Sequence, residues 1–220
     1  LLIFTVLWST LIYAPIAHWV WNTDGWLRSL GAIDFAGGTV VHIAAGLSAL
    51  AAALVIGRRN GAEVNNGEIR PNNIPFVILG AKLLWFGWFG FNAGSALAAN
   101  PLAVSALVVT NLAAAAAGVS WMLVDWIMKG KPSAVGLSVG AVCGLVAITP
   151  ASGYVTATAA ILIGLVAGVL SNLVANWRVG RTKIDDSLDV FACHGVSGIW
   201  GSFATGLFAT AMINNVNGLF

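Results

Sequence analysis

Charge is what this sequence lacks most. Lys, Arg, Asp and Glu make up 8% of its 220 residues, where a water-soluble domain carries roughly a quarter. That scarcity excludes an ordinary soluble fold. The net charge of +2 leaves no basic surface for nucleic acid. Cysteine is nearly absent as well. Cys143 and Cys193 both fall in apolar runs without metal-ligand spacing, so they read as small packing residues. With no nucleophile–base pairing and no metal-binding cluster in view, neither an enzyme nor a resident cofactor is expected.

What is abundant is apolar. Hydrophobic residues reach 59%, and Gly 26 and many Ala accompany them; small residues let helix backbones approach closely in lipid. A membrane span needs about 20 apolar residues. Seven runs qualify, at roughly 1–21, 34–57, 74–97, 101–128, 133–150, 154–177 and 188–212. The sequence therefore predicts an all-α, polytopic membrane helix bundle.

The basic residues alternate with these runs. Arg58, Arg59 and Arg70 follow the second, Lys129 and Lys131 the fourth, and Arg178, Arg181 and Lys183 the sixth. By the positive-inside rule the loops near 58–73, 129–132 and 178–187 are cytoplasmic. Arg28 lies on the other side. Lys82 sits inside the third run, about 10 Å along from Pro75, and reads as a side chain that stretches back to the interface. Trp19 and Trp26, beside the first outer loop, read as an interfacial aromatic belt.

Two histidines lie within spans, where an ionisable group is costly and usually lines a cavity or pathway. His42 follows Asp34 across Phe35-Ala36-Gly37-Gly38-Thr39-Val40-Val41, and His194 follows Asp189 across Val190-Phe191-Ala192-Cys193. At helical rise the separations are about 12 Å and 7.5 Å. The two helices start from opposite faces, so both histidines approach the middle of the bilayer. Matched acid-then-histidine patterns on antiparallel helices suggest inverted repeats with a site at their junction. The bland alternative is a core histidine bonded to a neighbouring helix. Asp34 and Asp189 stand where an acid caps a helix, and the capping role is the favoured one. Trp88, Phe91 and Ser95 fall at i, i+3 and i+7 on one helix face. Such a wall suits a small cation through cation–π attraction and one hydrogen bond, although an aromatic stripe is more often packing.

At these residues the chain resembles the ammonium transporter (Amt) family. The Asp34–His42 stretch carries that family's signature. Gly87-Trp88-Phe89-Gly90-Phe91-Asn92-Ala93-Gly94-Ser95 matches a second block, and Asp189-Val190-Phe191 with His194-Gly195 a third. Ala14-Pro15-Ile16-Ala17-His18 and Thr149-Pro150-Ala151 through Gly153-Tyr154 also fit. The motifs keep the family's order across the chain.

The resemblance implies an eleven-helix inverted-repeat fold, assembled as a homotrimer in the plasma membrane with a pore in each subunit. Residues 1–57 would form the end of the first repeat and 74–212 the second, with three N-terminal helices, the last helix and the tail absent. It implies that His42 and His194 are twin pore histidines and that Trp88 lines the pore. Trp21, Phe91 and Ser95 would belong to an external ammonium site and its aromatic gate, with Asp34 and Asp189 as supporting acids. Ammonium or ammonia would be the cargo, with no cofactor, and a cytoplasmic PII-type signal protein is a possible partner. One extra residue between Trp21 and Asp34 and the charge at Lys82 depart from the family's pattern.

Two other readings compete. An ammonium-sensing receptor of the same fold would share these motifs. A membrane cytochrome would use His42 and His194 as axial haem ligands. Only three histidines and the ring-crowded face from Trp85 to Phe91 argue against it.

Overall fold

A computed structural model describes residues 1–60 and 71–219. Among them every regular element is helical. Helix α1 runs through Leu2–Trp8, a π-helical turn at Ser9–Tyr13, and Ala14–Trp21. Helix α2 opens with π-helical Gly38–Ile43 and continues as Ala44–Ile56. Then come α3 (Ile74–Gly94), α4 (Pro101–Lys129), α5 (Ala134–Ile148) and α6 (Ala157–Arg181). Helix α7 begins as π-helical Phe191–Val196 and continues as Ser197–Phe208.

Helices stand at all seven expected positions. Five helical segments are long and apolar enough to cross a membrane: Leu2–Ser29, Gly38–Ile56, Ile74–Gly94, Pro101–Lys129 and Ala157–Arg181. Helix α5 is a shorter apolar helix. The third expected run stops at Gly94 rather than 97, where Ser95 caps it and Leu97 turns into the left-handed region at φ 55°. The last stops at Phe208 because the backbone becomes extended at Ala209. Arg70 lies outside the described residues.

The helix starts follow from polar caps. The side chains of Asn73, Asn100, Ser133 and Thr156 accept from the amides of Phe76, Ala103, Gly136 and Ala159. Each cap satisfies a donor that lipid would leave unpaired. Helix α4 packs against α5 and α6, α3 packs against α4 and α5, and the body of α2 packs against the start of α7. Small residues set the spacing: a Cβ on Gly164 would overlap the carbonyl oxygen of Ala113. The core behind the site is Val109, Ala113, Ile148, Val155, Ile163 and their neighbours.

Buried polar pairs tie the helices where lipid offers no competing partner. Asn92 Nδ2 donates to Thr110 Oγ1 at 2.9 Å between α3 and α4. Ser171 and Ser197 bond at 2.7 Å between α6 and α7. Trp8 Nε1 donates to Ser48 Oγ at 2.8 Å between α1 and α2. Asp125 on α4 is buried, accepts from Asn172 Nδ2 at 2.9 Å and pairs with Lys129 at 2.9 Å. The sequence reading passed over this carboxylate. It lies four residues before Lys129, a helical spacing that brings opposite charges together. Lys82 is exposed on the outside of α3. Trp19 and Trp26 lie with ring centroids 6.0 Å apart, both partly exposed.

Candidate functional site

Helix α2 starts where it does because of one carboxylate. Asp34 Oδ1 accepts from the amides of Gly37 at 2.8 Å and Gly38 at 2.7 Å. Its Oδ2 accepts from Thr39 at 2.8 Å and Val40 at 3.4 Å. All four are amides at the helix opening, which otherwise lack partners. Gly37 makes the turn possible by adopting φ +114°, open to glycine at little cost. Trp21 Nε1 donates to the Asp34 carbonyl at 2.9 Å, and its ring packs beside Gly37.

Helix α7 starts in a related way, with a different acid from the one expected. Asp186 is buried, and its Oδ2 accepts from the amide of Phe191 at 2.7 Å. Asp189 does not cap the helix with its side chain. It sits at φ 53°, and its Oδ1 pairs with Arg178 Nη2 at 2.8 Å. Asp186 lies eight residues before His194, the same separation as Asp34 from His42. The matched pattern therefore runs through Asp186. Three aspartates in five residues concealed it, since spacing alone does not tell which one turns inward.

Both histidines sit in the π-helical openings of their helices, a local geometry frequent at functional sites. There the helices meet closely. A Cβ on Gly46 would overlap the backbone N and Cα of Gly195. That crossing brings His42 Nδ1 and His194 Nδ1 to 3.2 Å, with ring centroids 5.3 Å apart. A hydrogen bond between two Nδ1 atoms needs one proton and one lone pair, so the two neutral rings take opposite tautomers. Direct contact leaves no room for an iron and its macrocycle between the rings, which removes the axial-ligand arrangement of a cytochrome.

Trp88 and Phe91 form the wall beside this pair. Trp88 is buried, and its ring stacks on His42 at 5.2 Å and 23°. Its Nε1 donates to Thr149 Oγ1 at 2.9 Å, fixing the indole plane. Phe91 lies 6.0 Å from His42 and 5.8 Å from Trp88. With Val41, Leu83, Leu84 and Gly87 these three rings line a cavity of about 290 Å³. His42 is 3% exposed, and its Nε2 is buried without a hydrogen-bond partner. Such a nitrogen is costly to bury alone and is free to bond a small polar guest. Apolar walls with one convergent polar group are a usual form of small-molecule site.

The remaining expected residues do not join the histidine cluster. Ser95 Oγ donates to the Phe91 carbonyl at 3.0 Å, just beyond the end of α3. Among the described residues Trp21 makes no hydrogen bond or ring contact with Phe91 or Ser95. Cys143 and Cys193 are free and buried, packed with Trp121, Ala175 and Ala192.

At the other end of α2 stands an ion pair. Arg59 Nη2 lies 2.7 Å from Asp185 Oδ1. The hydrogen bonds from Arg59, first its guanidinium and then its amide, hold the Asp185 carboxyl down to about 2. A carboxyl depressed in the folded state stabilises fully above its unfolded value near 4 and loses that effect as pH falls towards about 2. The melting-temperature difference between the unaltered protein and Asp185→Asn is expected to stay constant from pH 8 to 5. It should shrink below about pH 4. A difference that already shrinks between pH 7 and 5 would contradict this.

Three comparisons place the chain among known proteins. The model of the Ammonium Transporter Family matches residues 1–220. Ammonium transporter Amt1 of Archaeoglobus fulgidus is 54% identical over 218 residues, covering 99% of this chain and 54% of the relative. The crystal structure of Saccharomyces cerevisiae Mep2 superposes with a TM-score of 0.90 at 44% identity, over 96% of this chain and 47% of that one. A solved structure named Sensor Amt Protein is less similar, with a TM-score of 0.81 and 37% identity over 90% of this chain and 51% of that one. The chain spans about half the length of these relatives.

Proposed function

Because the chain belongs to the ammonium transporter family, we propose that it carries ammonium or ammonia across the plasma membrane along a path lined by His42 and His194. The observation that carries this reading is the histidine pair in contact beside the Trp88–Phe91 wall. A charged ion in an apolar passage faces a penalty of many kcal/mol. An aromatic vestibule reduces that penalty by cation–π attraction. Release of the proton then leaves neutral ammonia to cross the dry section. The buried His42 Nε2 faces the guest as donor or acceptor, according to the tautomer. With His42 Nδ1 as the donor, its Nε2 takes up the proton that ammonium releases, the Nδ1 proton passes to His194 Nδ1, and His194 gives up its own Nε2 proton, so both rings end neutral.

Around that pair we assign the other roles. Trp21, Phe91 and Ser95 form the external recruiting site and gate, and Trp88 lines the path. Asp34 holds the start of α2, and Asp189 anchors the segment before α7 through Arg178. Residues 1–57 belong to one repeat and 74–212 to its inverted partner. The antiparallel acid-then-histidine patterns support this, as does the equal spacing of Asp34–His42 and Asp186–His194. The basic loops, including 58–73, 129–132 and 178–187, face the cytoplasm. They would present the surface for a PII-type signal protein, and the assembled form is a homotrimer.

The test uses cells that lack their own ammonium transporters and express the protein from its complete gene. Saturable uptake of labelled methylammonium is the expected result. Protein that reaches the membrane and carries nothing would sink this reading in favour of a sensor.

A further inference from the structure

We propose that Arg59 and Asp185 are positioning residues for the histidine pair. They form a clamp that fixes the separation of α2 and α7 at the end away from the aromatic wall. The inference rests on the transport reading above, and adds to it a part outside the path.

Two consecutive aspartates hold the two histidine-bearing helices. Asp185 grips the far end of α2. Its Oδ2 accepts from the Arg59 amide at 2.8 Å and Nε at 2.9 Å, and its Oδ1 accepts from Nη2 at 2.7 Å. Asp186, the next residue, accepts from the Phe191 amide at the start of α7. The segment between α6 and α7 is pinned on both sides. Arg58 Nε donates to the Lys183 carbonyl at 3.1 Å. Arg178 Nη1 donates to the Ile184 carbonyl at 2.8 Å, and Nη2 donates to Asp189. An open groove of about 260 Å³ runs between α2 and the segment leading into α7 beside the clamp, with Ala49, Ala53, Asp185, Asp186 and Val190 in its wall. The ion pair ties the two helices at the mouth of this groove.

The Gly46–Gly195 crossing makes this a lever. From Gly46 to Ile56 is about 15 Å along the helix, and from Gly46 back to His42 about 6 Å. A splay of ~3 Å at the clamp then swings His42 by roughly 1 Å in the opposite sense, which spoils the distance and angle of the 3.2 Å hydrogen bond. The charges at the clamp face one another closely. Arg59 and Asp185 are joined nearby by Arg58, Arg178, Lys183, Asp186 and Asp189, so reversal of one sign at Arg59 sets it against three carboxylates.

The experiment uses the protein from its complete gene with Arg59→Asp, Asp185→Arg, and both together, each scored per transporter in the membrane. A second readout is independent of transport. Ala53→Cys places a thiol in the groove wall, and its labelling by a bulky maleimide reports whether the helices have parted. The native Cys143 and Cys193 are buried and give little background. Arg59→Asp is expected to lower maximal methylammonium uptake ~tenfold while moving the half-saturating concentration less than ~twofold. Groove labelling should rise severalfold, and the double exchange should return both readouts towards the starting values. Unchanged uptake in the single variants, or a loss without extra labelling that the exchange fails to rescue, would overturn the proposal. If the unaltered protein takes up nothing, the transport reading fails. Labelling then decides the clamp, which stands if labelling follows the ion pair and falls if it does not.

Discussion

Asp34→Ala is expected to abolish uptake and to lower the melting temperature of the purified protein by several degrees. The carboxylate accepts from four amides at the opening of α2 and is 8% exposed. Alanine leaves those donors without a partner in a place water reaches poorly. An unsatisfied buried donor costs about 1–3 kcal/mol, so several together exceed the ~1 kcal/mol typical of a surface cap. The helix then frays from the end that carries His42. Asp34→Asn keeps one acceptor oxygen and turns an NH₂ group towards the other amides, so its loss should be intermediate. Differential scanning fluorimetry on the three proteins, with uptake in parallel, checks the order. Equal melting temperatures for Asp34→Ala and the unaltered protein would show that the amides find other partners.

A comparable loss is expected from Gly46→Val. The new Cβ overlaps the backbone of Gly195 and lies 3.1 Å from the carbonyl carbon of His194. Backbone does not swing aside as a side-chain tip does, so the helices must separate. Overpacking costs about 1–3 kcal/mol even where side chains adjust. The separation also pulls apart the rings that now bond at 3.2 Å. Gly180→Ala is the control: a Cβ there meets nothing within 4 Å, and alanine within a helix favours it by up to ~1 kcal/mol. Gly46→Val should fail to carry methylammonium while Gly180→Ala carries it normally. Full uptake by Gly46→Val would show that the crossing tolerates a looser fit.

Both results turn on features of unequal visibility in the sequence. The helices were legible from their apolar runs, while the caps at Asn73, Asn100, Ser133 and Thr156 that set their starts emerge only from the structure. The histidines stood out because a lone ionisable group in a span is expensive, and their approach followed from antiparallel directions. The acid before His194 was misassigned. Asp185, Asp186 and Asp189 all precede α7, and only the left-handed turn at Asp189 directs that side chain to Arg178 and leaves the cap to Asp186. The stacking of Trp88 on His42 depends on the indole bond to Thr149, a residue distant in sequence. The ion pair between Arg59 and Asp185 joins residues 126 apart, so no local pattern announces it. The glycine crossing was hidden among 26 glycines, since nothing in the sequence tells Gly46 from Gly80, Gly87 or Gly180, where a Cβ meets nothing within 4 Å.

The proposed pore puts the histidine pair on the path taken by the substrate. The most direct measurement is methylammonium uptake by His42→Ala, His194→Ala and the double variant, expressed from the complete gene at matched membrane levels. Loss of saturable uptake, at least ~tenfold in each single variant, is the predicted result, with the double variant no worse than the more damaged single one because the two rings act as a unit. Uptake by the correctly inserted double variant at the rate and affinity of the unaltered protein would contradict the account.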